Sequence, residues 1–173
     1  MSLPPNRNLF KEYPNRIGVE TGTYIGAGIE AFLEAGFKEV LSIDIGQMYQ
    51  SGTHSKPKFG KASFTIVTGD SAKYLSWMIV NIHEPITFWL DAHYQGEGEI
   101  NDTSFPLLEE LKQIAKHHIK THTIIIDDWY MWEWYKVPYT REDVLKEIRN
   151  INPDYKITFV DNPTKDGILI ASL

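Results

Sequence analysis

The chain has 173 residues, enough for one domain around one core, and its 42% hydrophobic and 23% charged residues are ordinary for a globular protein. A net charge of −6 argues against a nucleic-acid surface, since the nearest thing to a basic patch is Lys56, Lys58 and Lys61 in a polar loop. The absence of cysteine excludes disulfides and thiolate metal sites, and no apolar run approaches the ~20 residues of a membrane span.

In chain order, residues 1–16 have no signal-type apolar core, so the expectation is a cytoplasmic protein, folded as one domain over residues 1–173. "IGVE" (17–20) reads as a short buried strand. Ile25, Ile29, Phe32 and Leu33 then fall at helical spacing, with Gly36 as the stop. "EVLSID" (39–44) is a second strand, and residues 46–63 are mostly loop. "SFTIVTGD" (63–70) contains a third strand, and Ala72, Leu75, Ile79 and Ile82 mark a helix after it. "ITFWLDA" (86–92) is a fourth strand, entered through Pro85, and a polar loop covers 95–103. Ser104 is expected to cap a helix carrying Leu107, Leu108, Leu111, Ile114 and Ala115. "THTIIID" (121–127) is a fifth strand, and Thr140 with Asp143 reads as a capping box before Val144, Leu145 and Ile148. "YKITFVD" and "GILIASL" flank the turn "NPTKDG", too close together for a helical crossover, so they form a hairpin. Strands alternating with helices predict an α/β fold. It is a doubly wound, mostly parallel, seven-stranded Rossmann-like sheet with a C-terminal antiparallel hairpin and helices on both faces.

In such sheets ligands bind beyond the carboxyl ends of the strands. Five strands here end in or near an acid: Glu20, Asp44, Asp70, Asp91 and Asp127. Asp is common at strand ends for purely local reasons, but five acids beside a glycine-rich turn point to a site. The first turn lacks the glycine patterns that cradle a dinucleotide or a triphosphate. It runs Glu20, Gly22, Gly26, Gly28, and an acid there repels phosphate and suits a ligand with a cationic group. Gly22 lets a ligand lie against the backbone, and Gly26 and Gly28 bring the next helix close to the sheet. Asp44 is placed to take two ribose hydroxyls, and Asp70 with Ser71 to face an adenine amino group.

On "VETGTYIGAG", "SIDIG" and "TGDS" the sequence resembles the class I S-adenosylmethionine-dependent methyltransferases. The resemblance covers nearly the whole chain and includes the final hairpin. Thr23, Tyr24 and Ile25 stand where the commonest form of the glycine loop is tighter, a variant associated with small-molecule O-methyltransferases. It implies S-adenosylmethionine as cofactor, held by Glu20, Gly22, Thr23, Gly26, Asp44, Asp70, Ser71 and Asp91.

"FWLDAHY" and "IIIDDWY" end neighbouring strands and gather Asp91, His93, Asp127 and Asp128. Three carboxylates in one cleft repel unless a cation or protons intervene, and Asp oxygens suit Mg²⁺. The arrangement is similar to the metal-dependent branch of the O-methyltransferases, catechol-type and sugar-type. That implies Asp91, Asp127 and Asp128 as ligands. Adjacent strand residues point to opposite faces, so both aspartates of the pair serve only if the chain turns there. His93 is a candidate general base, with Asp91 as the second catalytic candidate, or else a structural histidine. His117, His118 and His122 are expected to be surface or core histidines. The run "DDWYMWEWY" (127–135) is either a buried helix end or a substrate wall, whose rings with polar tips suit a sugar. The acidic loop 96–102 is the other candidate rim.

The sequence-based expectation is therefore O-methyl transfer to a small hydroxylated molecule, with a sugar favoured and Mg²⁺ assisting. No nucleic-acid or membrane partner is expected, and a homodimer is left open. The alternatives are a metal-dependent hydrolase, using the same acids around a water, and a non-catalytic nucleotide-binding module that uses the glycine turn alone.

Overall fold

The computed structural model describes residues 8–46, 62–93, 104–162 and 164–173. The basic group Lys56, Lys58 and Lys61 and the acidic loop 96–102 lie outside the described residues. The elements are α1 (Leu9–Glu12), β1 (Ile17–Thr21), α2 (Ala27–Glu34), β2 (Glu39–Asp44), β3 (Ser63–Thr68), α3 (Ser71–Ile79), β4 (Ile86–Leu90), α4 (Leu107–Ala115), β5 (Thr123–Ile126), α5 (Met131–Trp134), α6 (Arg141–Ile151), β6 (Lys156–Val160) and β7 (Ile168–Ser172).

The seven strands form one sheet in the order β3-β2-β1-β4-β5-β7-β6. β1 to β5 are parallel, and β7 runs antiparallel to both β5 and β6, so the expected hairpin closes the sheet. The order reverses between β1 and β4, which makes the cleft above those two strands the switch point.

Side chains alternate between two apolar layers, because successive strand residues point to opposite faces. Phe88 and Leu90 of β4 and Ile124 and Ile126 of β5 join one layer with Leu75 of α3, Leu111 of α4 and Ile148 of α6. Trp89, Ile125 and Ile170 join the other with Phe10, Ile29 and Phe32. Both faces of the central strands are covered, so their sequences read as continuous apolar runs. Helix α1 has no counterpart in the expected elements. Phe10 anchors it, stacking on Phe32 at 4.0 Å between ring centroids and meeting Trp89 edge-on at 5.5 Å.

The Thr140–Asp143 capping box is present. Thr140 Oγ1 accepts from the Asp143 amide at 3.2 Å, and Asp143 Oδ2 accepts from the Thr140 amide at 2.8 Å. The expected cap at Ser104 is corrected: α4 begins at Leu107 with Pro106 at its N-cap. A proline's fixed φ and missing donor suit a helix start, so it replaces a side-chain cap.

No helix among the described residues is long and apolar enough to cross a membrane.

Candidate active site

The strand ends bring two groups of polar residues to one side of the sheet. The first surrounds the turn after β1. Gly22 takes φ +85°, and a β-carbon there would stand 2.5 Å from the Asp91 backbone oxygen, so the turn needs a bare α-carbon. Gly26, at φ +84°, is the left-handed N-cap of α2. A β-carbon at Gly28 would collide with Glu20 Oε1, so the carboxyl group lies flat against the start of the helix.

Glu20 is buried beneath this turn rather than displayed on the cleft. Ser42 Oγ donates to Glu20 Oε2 at 2.5 Å and meets Thr23 Oγ1 at 2.6 Å. Burial pushes the Glu20 carboxyl up to about 8, the charges of Asp91 and Asp44 add to this, and the Ser42 hydrogen bond opposes it. Asp44 is more open. Its Oδ2 accepts from the Tyr24 amide at 2.9 Å and its Oδ1 from the Gly46 amide at 2.6 Å. Two backbone donors thus fix both oxygens in one plane and leave lone pairs for a ligand.

Asp70 caps α3, accepting from the Ala72 amide at 3.0 Å, and pairs with Lys73 at 3.0 Å. Ser71 Oγ donates to Glu110 Oε1 at 2.5 Å. Glu110, on α4, was not among the expected site residues. It is buried, and burial raises its carboxyl to about 7 against the pull of the Ser71 hydrogen bond. A sequence signal existed: position 110 falls inside the apolar stripe of Leu107, Leu111 and Ile114.

The second group stands where β4 and β5 end. Asp128 takes φ +50°, so the chain does turn there, and the two aspartates of the pair face different ways. One ligand atom each from Asp91, His93 and Asp128 lie within 4.8 Å of one another. His93 Nε2 is 2.8 Å from Asp128 Oδ2, and His93 Nδ1 is 3.5 Å from Asp91 Oδ1. Asp91 Oδ1 is buried and makes no hydrogen bond among the described residues. Asp127 Oδ1 instead accepts from Asn162 Nδ2 at 3.3 Å.

The charges follow from this packing. Burial disfavours the His93 imidazolium, but its contacts with Asp128 and Asp91 outweigh that and push the ring up to about 10. Burial works against the Asp128 charge, yet the His93 contact and the Tyr130 hydroxyl hold its carboxyl below the usual range. Burial, then the Asp91 and Asp128 charges, push Asp127 up to about 8. Burial pushes the Asp91 carboxyl up as well, against the pull of the His93 contact, so the ion pair the geometry supports is the His93 imidazolium with Asp128 at 2.8 Å.

Two oxygen donors and a nitrogen, one oxygen being buried and without a hydrogen bond, fit a divalent cation. The acids around the glycine turn suit ribose hydroxyls and a cationic centre better than phosphate.

The aromatic run is buried at its start and exposed toward its end. Trp129 and Met131 are buried, and Trp129 meets Trp132 at 5.0 Å. Trp134 is 66% exposed and packs on Tyr130. Arg141, also absent from the expected residues, holds the Trp129 carbonyl oxygen from Nη2 at 3.2 Å and lies over the Trp132 ring.

No protein-family model matches the sequence, and no curated protein matches it. Solved structures do match by fold. The chain superposes on an O-methyltransferase from Bacillus cereus in complex with SAH, with a TM-score of 0.61, 15% identity, and coverage of 95% of this chain and 77% of that one. The O-methyltransferase TomG from Streptomyces achromogenes, in complex with SAM, gives 0.60 at 13% identity, covering 96% and 77%. CalS11, a TDP-rhamnose 3'-O-methyltransferase of calicheamicin biosynthesis, gives 0.57 at 12% identity, covering 96% and 75%. The chain therefore has the fold of the class I S-adenosylmethionine-dependent methyltransferases, the fold that its motifs imply.

Proposed function

We propose that the chain is an S-adenosylmethionine-dependent O-methyltransferase of a small hydroxylated molecule, assisted by a divalent cation. One observation carries the reading. A turn surrounded by acids and an Asp–His–Asp group stand on either side of the switch point of a methyltransferase fold. The neighbours bound to SAM or SAH support the cofactor, and CalS11 supports a sugar as acceptor.

When bound, S-adenosylmethionine supplies an electrophilic methyl group on a sulfonium centre, and a divalent cation lowers the pKa of a coordinated hydroxyl. In this chain Asp44 would hold the ribose hydroxyls, Asp70 and Ser71 the adenine, and the backbone of Gly22, Thr23 and Gly26 the methionine part. Glu20, lying beneath the turn, shapes it from below through Ser42 and its close approach to Gly28. Asp91, His93 and Asp128 would hold the cation, with Asp127 behind them on Asn162. An imidazole in the donor set makes Mn²⁺ a natural alternative to Mg²⁺. Ligation would need His93 neutral, so a cation would displace the proton that Asp128 and Asp91 stabilise, and His93 would then serve as a ligand; without the cation it is the candidate base once those carboxylates release it. Orientation of the acceptor, rather than covalent chemistry by the protein, carries most of the rate.

The test is release of S-adenosylhomocysteine from S-adenosylmethionine with methyl pyranosides and catechol as acceptors. Turnover should require Mg²⁺ or Mn²⁺ and stop with EDTA. Asp91→Asn and Asp128→Asn should each lose about 10²-fold or more in kcat/KM with the circular dichroism unchanged. Turnover that survives EDTA would remove the cation from the account.

A further inference from the structure

Beside Asp128 lies a cavity of about 250 Å³, walled in part by the aromatic run 127–135. Trp129, Tyr130 and Phe159 form its aromatic wall, and Glu133, Arg141, Lys165 and Asp166 stand around it. It sits at the same end of the sheet as the site, because β7 is antiparallel to β5 and the hairpin turn returns to the carboxyl end of β5. The Trp129 amide donates to the Gly167 carbonyl at 2.8 Å, which joins the two walls. Tyr130 belongs to both places, since it lines the cavity while its hydroxyl stabilises the Asp128 charge.

Three ligand chemistries fit poorly. Two acids offset two cations, and Arg141 already pairs with Glu133 at 3.2 Å, so the cavity has little net pull on phosphate. The Trp129 and Phe159 rings are 6.0 Å apart and tilted by 47°, an angled wall in mutual contact, with no parallel slot for a flat base. A purely apolar ring would cover charged groups and give them no partners. The volume is also below the roughly 300–1,000 Å³ of pockets for drug-sized ligands, which suits a single ring.

A pyranose matches what remains. One face carries C–H groups that pack on aromatic rings, and its rim carries hydroxyls that both donate and accept. Carboxylates and cations can therefore serve the same ring. We propose that this cavity is the carbohydrate subsite of the acceptor. A single pyranose lies on the exposed ring of Phe159 against the accessible edge of Trp129, Glu133, Arg141 and Asp166 bind its rim, and Tyr130 marks the side from which a hydroxyl reaches Asp128. The assignment rests on the methyl-transfer reading for its role, but not for its binding.

Saturation-transfer NMR of the full chain tests it, using methyl pyranosides of gluco, galacto, manno and rhamno configuration. At least one should receive saturation at its ring protons. Phe159→Ser and Glu133→Gln, both at exposed positions, should each weaken that ligand about 10-fold or more while S-adenosylhomocysteine affinity stays within about twofold. Silence from all four sugars, or unchanged binding in both variants, would overturn the assignment. Sugar binding that depends on Phe159 in a protein that does not bind S-adenosylhomocysteine would keep the carbohydrate site and refute methyl transfer.

Discussion

Asp128 shows how much one backbone angle decides. At φ +50° it turns away from the strand direction and meets His93, while Asp127 points to Asn162. The sequence placed four polar residues at this spot, but not which aspartate joins which neighbour, because a dihedral leaves no mark in composition or spacing. Glu110 is the complementary case, since its burial was legible in the helical stripe, yet its partner Ser71 comes from another helix. A carboxyl held near 7 in the fold and near 4.3 in the unfolded chain favours folding less as pH rises through that window, because the unfolded state releases its proton first. Glu110→Gln keeps a partner for Ser71 and removes the buried charge. The variant should therefore gain roughly 2–4 kcal/mol on the wild type between pH 4.5 and pH 8, read from urea unfolding at both. A stability difference that does not change with pH would mean that Glu110 reaches solvent.

At the scale of elements, histidines join strands to helices at the end of the sheet opposite the site. The Ile86 amide donates to His122 Nδ1 at 3.1 Å, which leaves the proton on Nε2. That nitrogen meets His117 Nδ1 at 3.0 Å, so His117 carries its proton on Nε2 and donates to the Ile79 and Ile82 carbonyls, each at 3.0 Å. Both rings are neutral, and the chain of bonds fastens the end of α3 and the start of β4 to the segment between α4 and β5. The sequence reading of surface or core histidines holds, with His117 and His122 buried and His118 exposed. Their order of bonding was not legible, since it needs three elements in place. Burial pushes His122 down to about 3, and the neighbouring His117 adds to this. Above ~6.5 the ring is neutral in both states; below it the unfolded chain takes up the proton first, so stability falls with falling pH toward about 3. His122→Gln should flatten this acid limb by up to about 1.4 kcal/mol per pH unit between pH 6 and pH 4, by urea unfolding. Parallel limbs in the two proteins would mean that His122 titrates normally. Most strands and helices were legible from periodicity because their faces pack on single layers. Helix α1 was not, because four residues are too few for a period and Phe10 fixes them through contacts with Phe32 of α2 and Trp89 of β4, far away in sequence.

At the scale of the molecule, the topology explains why one end of the sheet holds the chemistry. Parallel strands deliver their carboxyl ends to one side, and the reversal between β1 and β4 opens a cleft there. The hairpin then adds Asp166 and Lys165 from the far end of the sequence to the same side. The doubly wound sheet with its final hairpin was legible from the alternation of strands and helices, and the acids at the strand ends pointed to the end of the sheet where the candidate site lies, but the strand order was not legible. The cavity was legible only in its aromatic run, because Arg141 of α6, Phe159 of β6 and Lys165 and Asp166 of the hairpin turn reach it from distant parts of the sequence.

The account stands on cofactor binding, and calorimetric titration of S-adenosylhomocysteine tests this most directly. Asp44, aimed by the Tyr24 and Gly46 amides, should take the ribose hydroxyls. The wild type should bind one equivalent, and Asp44→Ala should bind about 10–150-fold more weakly, a loss of roughly 1.5–3 kcal/mol. No heat of binding in the wild type, or equal affinity in the variant, would contradict the account.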